Sequence, residues 1–192
     1  MQYLWINPVS AGMCEEDSLK RFLERHDLTR VECRGDWGRI VRERYEAGLR
    51  AGVTLADARC PEAVRLLEEI QKEPENESGI ENLKVAPIEP ILLHCARELS
   101  TRPDLADGEK IITTPCQSLA VLGNSLGLEN TRFIAWNRLV GGEVRVRAIE
   151  DSPIPPGKIR AYVESGSWKQ ADLLELLYCK DGCHHGDGVQ TE

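Results

Sequence analysis

Short apolar runs alternate with amphipathic stretches along most of the chain. YLWINPV (residues 3–9) is an apolar run stopped by Asn-Pro, which predicts a strand. DSLKRFLERH (17–26) carries helical apolar spacing, with Asp17 or Ser18 as its cap. TRVECRG (29–35) alternates and ends at Gly35, predicting a second strand. DWGRIVRERYEAGLRAG (36–52) predicts a helix closed by glycine. VTLADARC (53–60) reads as a short strand or loop. PEAVRLLEEIQKE (61–73) reads as a helix, with Pro61 at its first position and Glu62 in its first turn. KVAPIEP (84–90) has two prolines that weaken a strand reading. PILLHCARELS (90–100) predicts a buried helix and KIITTPC (110–116) a β-branched strand. QSLAVLGNSLG (117–127) predicts a helix broken by Gly123. TRFIAWNRL (131–139) and EVRVRAIE (143–150) predict strands, DSPIPPGK (151–158) an extended linker, and KQADLLELLYC (169–179) a helix.

Alternation of strands with helices points to an α/β fold: a mostly parallel sheet flanked by helices. The expected organisation is an α/β domain over 1–150, whole or as two small lobes. Residues 151–192 would add a linker, a helix and a cysteine- and glycine-rich segment closing over the C-terminal ends of the strands.

Composition narrows the function. With 192 residues, 41% apolar and 29% charged, the chain has the make-up of an ordinary globular protein. A net charge of −8 leaves no basic field for phosphates, so nucleic acid is not an expected partner. No run approaches the ~18 apolar residues of a membrane span, and MQYLWINPVSAG lacks the pattern of a signal peptide. The expected compartment is the cytoplasm, where thiols stay reduced. Disulfides are then a poor account of seven cysteines, an odd number: Cys14, Cys33, Cys60, Cys95, Cys116, Cys179 and Cys183. Cys33 and Cys95 are read individually as small apolar fillers.

Four cysteines fall at or just past predicted strand ends: Cys14, Cys33, Cys60 and Cys116. Open parallel sheets bind ligands in the crevice at those ends. Cys60 and Cys116 also immediately precede predicted helices, whose positive termini favour a thiolate. Cys179 and Cys183 stand in CKDGCHHGDGVQ (179–190), where Gly182, Gly186 and Gly188 would let backbone approach a metal cluster.

Three of these stretches resemble the cluster-binding catalytic domain of iron-only hydrogenases. RCPEAVRLLEEI (59–70) is similar to its Cys-Pro step opening a helix. KIITTPCQSLA (110–120) is similar to its strand ending in Pro-Cys, and IEPILLHCAREL (88–99) to the helix before that strand. CKDGCHHGDGVQ resembles its last cysteine–glycine element. The motifs occur in the family's order over roughly residues 55–190. The resemblance implies that Cys60, Cys116, Cys179 and Cys183 ligate one [4Fe–4S] cluster, the number of thiolates a cubane needs.

Two departures limit what carries over. Arg59 stands where the family has its proton-relay cysteine, and Leu119 where it has the lysine that binds the diiron subcluster. Leu119 offers no polar donor, so hydrogen turnover is not expected. The resemblance then implies a reduced relative acting in electron transfer, redox sensing or cluster handling, with a ferredoxin- or flavodoxin-like protein as a candidate redox partner. One alternative is an iron–sulfur-dependent enzyme. Its small anionic substrate would lie in the strand-end crevice near Arg59, Cys14 and His184, with Asn7 and Ser10 as further candidates. His184 and His185 could tune a cluster through hydrogen bonds. The other alternative is a structural zinc protein using the same four thiolates.

Overall fold

β-Branched and aliphatic side chains form the strands, and prolines or small residues after each strand turn the chain into the next helix. The computed structural model describes residues 1–73, 79–136, 139 and 156–179. In chain order the described elements are β1 (Gln2–Trp5), α1 (Pro8–Met13), α2 (Glu16–Arg25), β2 (Leu28–Arg30), α3 (Trp37–Gly48), β3 (Thr54–Ala56), α4 (Pro61–Gln71), β4 (Leu83–Val85), α5 (Ile91–Thr101), β5 (Glu109–Thr114), α6 (Gln117–Asn124), β6 (Thr131–Ala135), α7 (Pro156–Glu164) and β7 (Leu173–Leu174). Short 3₁₀ turns occupy Pro103–Leu105 and Ser167–Gln170. The architecture is α/β, as the alternation predicts, but it contains two parallel sheets rather than one.

The first sheet has the order β2-β1-β5-β6 and is parallel throughout, with Tyr3 opposite both Thr29 and Lys110, and Ile112 opposite Phe133. It belongs to a compact unit made of Met1–Asp36 and the described residues from Leu92 to Leu139. One core cluster here joins Leu4, Ile6, Leu19, Phe22, Ile111 and Trp136. Helix α6 runs through Gly123 to Asn124 without a break. The glycine serves packing instead, because a Cβ there would land on the Phe133 ring. The Asn124 side chain then pairs with both backbone groups of Phe133, donating to its carbonyl and accepting from its N–H, each at 2.9 Å. That occupies polar groups on the side of β6 away from β5, the sheet's edge among the described residues.

The second sheet has the order β4-β3-β7, again parallel, with Ala56 opposite both Val85 and Leu174. It belongs to the other unit, Trp37–Ile91 together with 156–179 among the described residues. Val41, Leu55, Ala86 and Ile88 form a core cluster there. KVAPIEP does supply a strand, β4, which stops before Pro87.

The helix expected over 169–179 is replaced by a 3₁₀ turn and strand β7. Its leucines favour a helix, but β3 has an edge to fill. The Leu55 N–H bonds the Asp172 carbonyl at 2.9 Å, and the Asp57 N–H bonds that of Leu174 at 2.8 Å. Leaving buried backbone groups unpaired costs about 1–3 kcal/mol each, more than the propensity gained. The strand expected at 143–150 and the closing segment beyond Cys179 lie outside the described residues.

In each sheet the chain lays one strand beside the first and later returns to the other side. The order therefore reverses between β1 and β5 in one unit and between β3 and β7 in the other. The crevice at such a reversal is where open parallel sheets hold ligands.

Candidate metal centre

At the end of β3 the chain reads Asp57-Ala58-Arg59-Cys60 before α4 begins. Asp57 is only 5% exposed, so its carboxylate needs partners. Oδ1 accepts from the Tyr45 hydroxyl at 2.8 Å and from the Arg59 N–H at 2.8 Å. Oδ2 pairs with the Arg59 guanidinium. The bond from the N–H two residues on is an Asx turn, and it folds the loop so that Cys60 becomes the N-cap of α4 in an extended conformation. Pro61 then starts the helix without a wasted donor. Cys60 is buried.

Arg59 reaches further, to Glu175 Oε1 at 2.5 Å. Glu175 follows β7, so this ion pair ties the Cys60 loop to the segment that carries Cys179. Leu176 and Leu177 on that segment are buried and anchor it. Cys179 itself is exposed. Even so, loss of water around its sulfur pushes its thiol up, and the charges of Cys60 and Glu62 push it further the same way. The two cysteines lie far apart in the sequence, yet they share the β3/β7 reversal and feel each other's charge. Two thiols and a carboxylate thus lie within electrostatic range of one another at this reversal.

Cys116 takes the matching place in the other unit. β5 ends at Thr114, whose hydroxyl donates to the Cys116 carbonyl at 2.8 Å. Cys116 is the half-buried, extended N-cap of α6. The Asn7 N–H donates to Thr113 Oγ1 at 3.2 Å, closing the end of the β1/β5 reversal beside it. Leu119, one turn along α6, is buried. Cys183, His184 and His185 lie outside the described residues. Among the described residues, no group of three or more His, Cys, Asp or Glu side chains is placed to hold a metal ion.

Three other candidates take structural positions. Residues 8–13 form helix α1, and the Cys14 thiol donates to the Ser10 carbonyl at 3.0 Å within the first unit's core cluster. Ser10 is buried as well. Arg59 is already engaged by two carboxylates. The sequence reading missed Asp57, Tyr45 and Glu175. Only Asp57 left a usable signal, an Asp two residues before the loop's arginine.

No protein-family model matches the chain, and no curated protein or solved structure matches it. Among the described residues no helix is long and apolar enough to cross a membrane.

Proposed function

We propose that this protein binds one [4Fe–4S] cluster through Cys60, Cys116, Cys179 and Cys183 and serves in electron transfer, redox sensing or cluster handling rather than hydrogen turnover. The observation that supports the reading is that Cys60 and Cys179 follow β3 and β7 at one reversal and lie within charge range of each other, with Cys116 at the corresponding reversal of the other unit. A cubane held by four thiolates moves one electron at a time and offers no open iron to a substrate. The chain's own residues supply the positioning. Asp57 folds the Cys60 loop, Arg59 and Glu175 hold the Cys179 segment to it, and Gly123 lets α6 carry Cys116 close to the sheet. Leu119, apolar and buried, provides no donor for a diiron subcluster. A ferredoxin- or flavodoxin-like protein is the proposed redox partner.

Iron, zinc and acid-labile sulfide per chain test the reading, on protein reconstituted without oxygen. About four iron and four sulfide are expected, with most of both lost in Cys60→Ala and in Cys179→Ala. Zinc alone, or iron unchanged in those variants, overturns it. A cluster that survives Arg59→Ala while turnover of a small anion is lost would favour the enzyme alternative.

A further inference from the structure

A second pair of cysteines lies apart from the proposed cluster site. After β2 the chain passes through Glu32, Cys33, Arg34 and Gly35 along helix α5. Glu98 of α5 accepts the Arg34 N–H at 2.6 Å on one carboxylate oxygen and the Gly35 N–H at 3.1 Å on the other. Arg102 donates to the Glu32 carbonyl at 2.7 Å, and Arg34 pairs with Asp104 at 3.0 Å. Backbone on both sides of Cys33 is therefore stapled to α5 and the residue that follows it. Cys95 lies on that helix one turn before Glu98, and the neighbouring Cys33 is the largest influence raising its thiol. Burial and the charges of Cys33 and Glu98 also hold Cys95 strongly in its protonated form. Cys33 is partly exposed and Cys95 buried. The Arg102 guanidinium lies within charge range of the Cys33 sulfur.

We infer that Cys33 and Cys95 are an oxidisable dithiol, a modification site that low-molecular-weight disulfides convert to an intramolecular disulfide. The hydrogen bonds that pin the Cys33 loop to α5, one turn from Cys95, set this pair apart from Cys60 and Cys179. Geometry assigns the roles. The Cys33 thiolate, reachable from solvent, attacks one sulfur of glutathione disulfide, and the first glutathione leaves as its thiolate. That thiolate takes up the Cys95 proton. The Cys95 sulfur then attacks Cys33 and expels the second glutathione. The two protein thiols are oxidised by two electrons, and one glutathione disulfide is reduced to two glutathiones. The new bond would lock the loop after β2 onto α5 with a covalent tie.

The test uses the full chain, incubated with glutathione disulfide in the absence of oxygen, quenched in acid, alkylated and mapped without reduction. A linked Cys33–Cys95 peptide is expected, with both residues lost together from the alkylated pool. Cys95→Ala should stall at a Cys33–glutathione mixed disulfide. Cys33→Ser, at a loop position that tolerates the change, should form no linked peptide and leave Cys95 a thiol. A mixed disulfide accumulating on Cys33 in the unaltered chain, or both residues remaining thiols, would overturn the inference. Iron content should be the same in Cys33→Ser as in the unaltered chain, which keeps this result separate from the fate of the cluster proposal.

Discussion

The two units build the same topological feature from unequal material. In the first, the reversal is flanked by β5, six residues long, with β6, five residues long, beyond it. Ile111, Ile112, Thr113 and Thr114 are all buried, so the strand that delivers Cys116 is held along its length. In the second, β3 and β4 have three residues each and β7 has two. So few ladder bonds cannot fix a register alone. Side chains take over: Asp57, Tyr45, Arg59 and Glu175 on one end of the sheet, and Thr54 on the other. A site built on long strands inherits its precision from the backbone. A site built on short strands depends on a few polar contacts, and each should be visible when removed.

The sharpest way to break the contrast is Asp57→Ala. It strips the Tyr45 hydroxyl, the Arg59 N–H and the guanidinium of their shared acceptor. About 3 kcal/mol of stability should be lost, the cost of leaving buried donors unpaired. Hydrogen exchange should show the loss in 54–60 and 172–179 rather than in β1 or β5. Reconstituted iron should fall with it. Uniform loss across both units would mean that the short-strand sheet is not specially dependent on this tie.

The first unit should be sensitive to shape instead. Gly123→Ala puts a methyl group into the Phe133 ring, and overpacking of this kind costs about 2 kcal/mol. Urea denaturation measures it. A change under about 0.5 kcal/mol would show that α6 shifts freely over β6, and the rigid account of the Cys116 site would fail.

The same division decides what could be read from the sequence. The KIITT run and the Pro61–Gln71 helix follow from local signals: β-branched residues, a proline at the first helical position and an acid in the first turn. Residues 169–179 misled because DLLELL favours a helix in isolation. Only the open edge of β3, distant in sequence, makes it extend. Cys60 and Cys116 were visible as residues between strand and helix. That Cys179 comes within charge range of Cys60 follows from that same strand β7, so spacing could not reveal it. Cys33 and Cys95 each read as apolar filler. Their juxtaposition depends on Glu98 holding the Arg34 and Gly35 N–H groups, a link between segments over sixty positions apart. Gly123 looked like a helix breaker because a glycine's reason for being in a helix lies on the element it touches.

At the other end of the second sheet, Thr54 Oγ1 donates to the Ala171 carbonyl at 2.7 Å and to that of Trp168 at 3.2 Å. Thr54→Val keeps the shape and removes the hydroxyl. A loss of about 1–2 kcal/mol is expected, together with faster exchange across β7. If β7 stays protected, strand pairing and the polar ties at the Cys60 end hold it without Thr54.

The smallest effect is also the most specific. Each unit has a tyrosine on an aspartate: Tyr3 donates to Asp107 at 2.7 Å, Tyr45 to Asp57 at 2.8 Å. Both phenols are raised, Tyr3 chiefly by its hydrogen bond and Tyr45 chiefly by burial, then by the Asp57 charge and hydrogen bond. Tyr45 is pushed up to about 12, against about 10 for an unfolded tyrosine. The folded form thus favours the neutral phenol. Its contribution is complete below pH about 10 and is lost as pH rises toward about 12, because the unfolded chain releases its proton first. Tyr45→Phe should cost about 1 kcal/mol near neutral pH for the lost hydrogen bond. It should also flatten the alkaline fall in urea midpoint and delete a phenolate step near pH 12 from the ultraviolet titration. An unchanged titration would mean that Tyr45 is wetter than its place beside Asp57 requires, and that the loop presenting Cys60 is held by Arg59 alone.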